Sequence, residues 1–227
     1  MDIIKIFITY LLGFALSVLL FGLSFLVSNN IKKEKLKYVF PFLMPIVAVV
    51  PTLIVLTKID IKDRVINISA ITDEVCWSVL LITVLVVAFL ISMKSKSTKM
   101  TSKEILANAL SGMTMEIPQR LLMQTLLYML LKMWEVSNAG FLSYLLNAFV
   151  WCTGIIVQAL LDREALNKDL FLDVFASFLF SIGIGYVYMR SGLLILPLIA
   201  HFMERIVSKT IINYRISTGK NNINNIE

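Results

Sequence analysis

The feature that most constrains this chain is a pair of opposite charges inside an apolar run of membrane-spanning length. Glu116 and Arg120 lie within residues 105–131, a largely apolar segment that contains no other charged residue. A carboxylate and a guanidinium at hydrocarbon depth are costly unless they face protein or water, so such residues usually mark a functional interior. Their i, i+4 spacing places them on one helix face, where each can neutralise the other. The pattern predicts a helical bundle with a polar site inside it.

The composition places the chain among helical membrane proteins. Hydrophobic residues make up 58% of the sequence and charged residues only 16%, and repeated apolar runs have the length of about 20 residues that a bilayer requires. We therefore predict an all-α polytopic membrane protein with about seven spans. The predicted spans are residues 6–27, 38–57, 76–93, 105–131, 139–161, 170–189 and 192–207.

The basic residues predict how these spans are oriented. When the connecting segments are assigned alternately to two sides, fourteen Lys and Arg residues fall on one side and six on the other. The positive-inside rule then places the amino terminus outside and the carboxyl terminus in the cytoplasm. The net charge of +6 indicates topology and contact with anionic lipid, and no nucleic acid is expected as a partner. The bias towards Lys, Ile and Asn and the compact loops indicate a bacterial cell membrane.

A lysine-rich loop, residues 94–103, divides the sequence. We predict an amino-terminal three-span region at residues 1–100, a four-helix core of catalytic type at residues 101–208, and a cytoplasmic polar tail at residues 209–227. The core contains every intramembrane polar residue of interest.

Three side chains that could take part in catalysis are predicted to lie at a similar depth in the membrane. At 1.5 Å per residue, Glu116 lies roughly 17 Å from its end of the bilayer, Cys152 about 20 Å and His201 about 14 Å. His201 is the only histidine in the chain. Three helices thus bring such groups to one layer, as a site between helices requires.

The motifs in this layer resemble those of a known family. Gly112-x-x-x-Glu116-x-x-x-Arg120, an aromatic motif that starts at Phe149, and a late His201 follow the order found in the CPBP intramembrane metalloproteases. These are also called the CAAX protease and bacteriocin-processing, or Abi, family. The resemblance covers residues 102–207 and implies a four-helix core with a site for peptide hydrolysis.

The resemblance also shows where this sequence departs from the family. The family has two adjacent glutamates, of which the first polarises water and the second pairs with the arginine; here Met115 stands at the first position. The histidine of the middle motif falls on Thr153, or on Cys152 if the register moves by one. The third motif keeps His201, but Arg205 stands where the family has Asn or Asp.

The resemblance implies Glu116, Arg120 and His201 as catalytic residues. Possible additional site residues are Cys152, Thr153, Glu204 and Arg205. Zinc or another divalent metal is a possible cofactor on Glu116 and His201, because carboxylate and imidazole are acceptable zinc ligands. Simpler interpretations stay open: a structural buried ion pair, a cysteine that packs as a small apolar residue, and an interfacial Glu204 with Arg205.

Two functions from different classes remain. The first is a divergent intramembrane protease that processes a peptide, a prenyl-protein or a bacteriocin-type substrate. The second is a catalytically inactive family member that acts as a membrane scaffold, regulator or immunity protein. A peptide or membrane protein, together with the lipid bilayer, is the expected partner in both cases.

Overall fold

The computed structural model describes residues 2–30, 71–95, 98–163 and 166–218, with side chains from residue 2 to residue 19 in the first of these ranges. Within these ranges every regular element is helical, which confirms the predicted all-α class for this part of the chain. The elements are α1 (Asp2–Asn30), α2 (Glu74–Ser92), α3 (Ser102–Glu116), a π-helix (Ile117–Gln124), α4 (Thr125–Met133), α5 (Ala139–Leu161), α6 (Lys168–Ser191) and α7 (Ile195–Ser217).

Large apolar side chains are exposed on the surface of the bundle, while several charged and polar side chains are buried inside it. On α2, Ile82 and Phe89 are each 62% exposed, whereas Glu116 and Arg120 are 0% exposed. Exposed apolar surface on this scale suits a hydrocarbon environment. Four of the described helices are long and apolar enough to cross a membrane by length and composition: α1 in its first part, α2, α5 and α6.

The described residues contain four candidate membrane-spanning helices, compared with the seven spans predicted from the sequence. The predicted span 38–57 lies outside the described residues. The predicted span 105–131 is divided into α3, the π-helix and α4. The last predicted span, 192–207, belongs to α7, which continues to Ser217 and so includes the first part of the predicted tail. The helix continues because Ser208 and Ile212 are buried and extend its packed face.

Helices α6 and α7 form the centre of the packing. Helix α6 packs against α2 and α5, α7 packs against α2 and α3, and α1 packs against α4 and α5. One apolar cluster joins α2, α6 and α7 through residues such as Leu80 and Ile184. A second joins α4 and α5 through Leu127 and Val150. Helices α1 and α2, which the sequence assigns to a separate region, therefore contact helices of the predicted core directly.

Hydrogen bonds connect the helix termini at one end of the bundle. Lys94, after α2, forms an ion pair of 2.6 Å with Asp173 of α6. Arg215 of α7 donates to the backbone carbonyls of Ser92 and Lys94. We call this the basic end of the bundle, since Lys94 and Arg215 lie here with the first residues of α3 and α6. The loop 94–103 and the end of α7 thus lie together, as the alternation of spans predicts.

Asp73 lies at the opposite end and has two roles. Its Oδ1 accepts from the backbone N–H of Val75 and so caps α2. Its Oδ2 accepts from Arg190 Nε at 2.6 Å. The hydrogen bond from Arg190 is the main reason that the pKa of Asp73 lies below its usual value of 3.8.

We predict that Asp73→Asn lowers the melting temperature in detergent at neutral pH, and that Asp73→Ala lowers it further. Asn keeps the helix cap and loses the ion pair, whereas Ala loses both. Because the folded-state pKa is lowered, the ionic stabilisation is complete above the usual value of 3.8 and is lost as the pH falls through the lowered pKa. The difference between wild type and Asp73→Asn should therefore disappear in acid. Equal melting temperatures at neutral pH would contradict the prediction.

Candidate functional site

The π-helix forms where Pro118 interrupts the α-helical hydrogen bonds. Proline has no N–H, and its ring clashes with the carbonyl four residues earlier, so an α-helix cannot continue unchanged through it. The chain widens into the π-helix Ile117–Gln124 and returns to α-geometry at Thr125. All seven residues from Pro118 to Gln124 are buried. A π-bulge is often found at a functional site, and here it turns several adjacent polar side chains towards the bundle interior.

Arg120 is the most extensively bonded side chain of this interior. It donates from Nε to Glu116 Oε2 at 2.9 Å, and from Nη1 to Gln124 Oε1 at 3.1 Å and to the Ser181 carbonyl at 3.2 Å. Nη2 lies 3.4 Å from Ser181 Oγ. Gln124 in turn donates to the Gly185 carbonyl at 2.8 Å. The charge of Arg120 is therefore neutralised by Glu116 and its N–H groups are directed at α6.

The second oxygen of Glu116 holds the histidine. His201 Nδ1 lies 2.6 Å from Glu116 Oε1, and Arg205 Nε donates to His201 Nε2 at 3.3 Å. Since Nε2 accepts a hydrogen bond from a cation, Nδ1 carries the proton and donates to the carboxylate. Glu116 thus binds Arg120 with one oxygen and the histidine with the other. Glu116 and His201, which the depth argument predicts to share one layer, are in direct contact.

Gly112 allows α3 to approach α7 this closely. A Cβ atom at Gly112 would lie 2.8 Å from His201 Cδ2 and 3.1 Å from Arg205 Cγ. Any side chain there would displace the imidazole or the arginine. The first residue of the glycine, glutamate and arginine motif is therefore explained by helix packing around the histidine.

A small cavity lies beside the histidine; we call it the inner cavity. Its volume is about 40 Å³, which is room for roughly three water molecules at about 10–15 Å³ each. Its polar lining includes His201, Gln119, Glu204 and Arg205. Gln119 Nε2 and Glu204 Oε1 are buried and have no hydrogen-bond partner among the described residues. Two residues that each carry an unpaired buried polar atom within the described part of the chain therefore line the same cavity as His201.

Two of the predicted site residues lie elsewhere. Cys152 Sγ donates to the Val174 carbonyl at 3.4 Å, which agrees with its interpretation as a small packing residue. The Thr153 hydroxyl bonds to Tyr10 of α1 at 2.8 Å. The cavity is lined instead by the neighbouring Trp151. Cys152 contacts α6 through Val174 and does not line the cavity beside the histidine.

Glu204 and Arg205 belong to the site. Arg205 Nε lies 3.3 Å from Glu204 Oε2 as well as from His201 Nε2, and Glu204 is only 2% exposed. Glu204 and Arg205 are thus paired with each other and also line the cavity beside the histidine; that the pair lies at the membrane interface stays a prediction. Gln119 is the residue that sequence reasoning missed, although a glutamine beside Arg120 in an apolar run is a visible signal, because a buried amide needs partners.

The arrangement does not fit a bound metal ion. Both oxygens of Glu116 and both nitrogens of His201 already have hydrogen-bond partners. Among the described residues, no group of three or more His, Cys, Asp or Glu side chains could hold a metal ion. A structural or catalytic zinc site needs at least three protein ligands. The zinc hypothesis stays a prediction that would require this site to rearrange.

Comparison with protein-family models, with curated proteins and with solved structures finds no match to this chain. The site is therefore interpreted from its own geometry.

Replacement of Gly112 by alanine should disturb the site without adding a polar group. We expect Gly112→Ala to cost about 1–3 kcal/mol of stability, since the methyl group overlaps the imidazole of His201. Gly154→Ala is the matched control, because a Cβ there meets no described atom within 4 Å and alanine favours the helix by about 1 kcal/mol. Thermal unfolding in detergent should separate the two variants. Equal behaviour would show that α3 and α7 are not in close contact.

The buried ion pair should show strong coupling between its two members. We expect Glu116→Leu or Arg120→Met alone to cost about 3–5 kcal/mol, because each leaves an uncompensated buried charge. The double variant should cost much less than the sum of the two single variants. Additive effects of the two substitutions would show that the pair does not exist.

Proposed function

We propose that this chain is an intramembrane hydrolase similar to the CPBP proteases, which cleaves a peptide bond of a membrane-associated substrate with His201 as the base. The observation that carries the proposal is the hydrogen bond of 2.6 Å between His201 Nδ1 and Glu116. A carboxylate in this position fixes the tautomer of the ring and stabilises the imidazolium that a base becomes. Glu116 is then a positioning residue and not the base itself.

The inner cavity contains the other groups that hydrolysis requires. A water molecule attacks the substrate carbonyl while His201 Nε2 takes its proton. Gln119 Nε2, which has no partner among the described residues, donates to the oxyanion that forms. The protonated imidazole then passes its proton to the leaving nitrogen as the C–N bond breaks. Glu204 Oε1 accepts from a substrate N–H and so orients the peptide group.

Arg205 must move before this chemistry can begin. In the structure its Nε occupies the lone pair of His201 Nε2 at 3.3 Å. The same nitrogen lies 3.3 Å from Glu204 Oε2, so a small rotation towards Glu204 frees the histidine and keeps the arginine paired. In this proposal, the observed position of Arg205 corresponds to a resting state of the enzyme. The substrate is a peptide or a membrane protein.

The distribution of basic residues supports a proposal for the location and orientation of the chain. We propose that the chain is a multi-pass bacterial membrane protein whose basic end faces the cytoplasm. Lys94, Lys209 and Arg215 lie at this end, and the cytoplasmic leaflet is rich in anionic lipids that attract basic residues. The site then opens to the cytoplasmic half of the membrane.

A non-catalytic role is the second candidate, and a specific observation favours it. Arg205 occupies the lone pair that a base needs, and Met115 stands where the family has its first glutamate. In this case the inner cavity holds a peptide group of a partner without cleaving it, and the chain serves as a scaffold, regulator or immunity protein.

The decisive variant is His201→Gln, whose amide can still donate to Glu116 but cannot act as a base. We expect purified wild-type protein in liposomes to cleave a mixed library of quenched-fluorescent peptides. His201→Gln should reduce the rate by about 10²–10⁴-fold, the usual contribution of a general base. Mass spectrometry of the cleaved termini identifies the bond.

Two further variants make this test specific. Gln119→Leu should lower the rate by about 10²–10³-fold without loss of stability, because it replaces a buried amide whose Nε2 has no partner among the described residues. Thr210→Ala, at an exposed position of the same helix, should leave the rate unchanged. If wild type and His201→Gln both cleave the peptides no faster than liposomes without protein, the hydrolase proposal is contradicted and the non-catalytic role is favoured.

A further inference from the structure

A second, more polar cavity lies at the basic end of the bundle; we call it the outer cavity. Its volume is about 140 Å³, and it is lined by Lys94, Asp173, Arg205 and Lys209 together with residues of the loop before α3. Arg205 lines the inner cavity as well. The Arg205 side chain therefore lies between the two cavities, with the histidine on one side and Lys94 and Lys209 on the other.

The charges in the outer cavity are not balanced. Lys94 is neutralised by Asp173 at 2.6 Å. Arg205 bonds to Glu204 and His201 through Nε alone, which leaves its Nη groups without a partner among the described residues. Lys209 forms no ion pair or hydrogen bond with a described residue. Burial, followed by the neighbouring charges of Arg205 and Lys94, lowers the pKa of Lys209.

We propose that the outer cavity binds the phosphate of an anionic phospholipid headgroup, held by the Nη groups of Arg205 and the ammonium of Lys209. A guanidinium presents parallel N–H groups that match a phosphate, and a lysine adds a point charge. The cavity is smaller than the roughly 300–1,000 Å³ typical of sites for whole small molecules.

The position of the cavity favours a lipid as the source of the phosphate. Lys94 lies two residues after the end of α2, and Asp173 lies little more than a turn from the start of α6. Helix ends of a membrane bundle lie near the headgroups, and basic pockets between helices on the cytoplasmic side bind acidic headgroups. A soluble phosphate would use the same nitrogen atoms, so the two sources must be distinguished by experiment.

Phosphate binding has a consequence for His201. An anion that holds the Arg205 guanidinium in the outer cavity competes with His201 Nε2 for the same side chain. The histidine lone pair is then free, and anionic lipid would activate the site; this consequence for catalysis, unlike the binding site itself, rests on the proposed function.

The binding test uses the purified full chain in a neutral detergent, titrated with short-chain phosphatidylglycerol by calorimetry. We expect saturable binding that weakens with salt. Loss of one charge-assisted contact in Lys209→Gln should weaken binding roughly tenfold or more. Lys168→Gln is the charge-matched control, since Lys168 is exposed at the same end and does not line the cavity. It should bind as wild type does.

Each outcome of the titration decides something. If glycerol phosphate binds as tightly as the lipid, the phosphate site stands and its source is soluble. If glycerol phosphate binds much more weakly, the source is the lipid. Equal weakening in the two lysine variants would show general surface attraction and overturn the proposal, as would the absence of saturable binding. Lys209→Met serves as the second variant if Lys209→Gln has a lowered melting temperature.

The effect on the histidine has its own readout. His201 is the only histidine in the chain, so ¹⁵N labelling of histidine gives the signals of one imidazole. We expect the Nε2 signal to shift as phosphatidylglycerol binds and to stay fixed in Lys209→Gln. This measurement does not depend on hydrolysis: a shift without peptide cleavage would retain the lipid site and reject the hydrolase. Binding without any shift would overturn the coupling through Arg205.

Discussion

The bond between Glu116 and Arg120 is the interaction on which the rest of the site depends. Without Arg120, a fully buried Glu116 would be an isolated charge, which is among the most unfavourable groups to place inside a bundle. Once the pair has formed, one carboxylate oxygen is available to hold His201. The remaining N–H groups of the arginine join the π-helix to α6. A single buried cation thus organises three segments of the chain around the histidine.

The π-helix explains how so many polar groups reach one place. A regular α-helix would place Arg120 and Gln124 on one face and Gln119 about 140° from Gln124, whereas in the π-helix all seven residues from Pro118 to Gln124 are buried. The closely packed Gly112 brings α7 within reach of these groups. The irregular backbone thus lies beside the site, which agrees with the general rule that irregular helical backbone in membrane proteins lies where it is enclosed by protein.

Depth along the predicted spans grouped three candidate residues but did not predict which of their side chains meet. Counting residues along the predicted spans placed Glu116, Cys152 and His201 at similar depth, and two of the three are in contact. Depth does not give the rotation of a helix about its axis, which depends on packing, and Cys152 accordingly lies on another face with Thr153 bonded to α1. The helical class followed from composition and apolar length. The division of residues 105–131 did not, because proline predicts a disturbed helix but not the particular form of the disturbance.

Arg205 is the residue that most changes how the motifs are interpreted. In the family that the sequence resembles, this position holds Asn or Asp, so its replacement by arginine first indicates lost activity. In the structure, the arginine pairs with the adjacent Glu204 and also occupies His201 Nε2. Loss of function alone does not explain why Glu204 Oε1 and Gln119 Nε2 are buried without a hydrogen-bond partner in the part of the chain that the structure describes. These groups are costly to bury without a partner, and a ligand with both a donor and an acceptor, such as a peptide group, would compensate both.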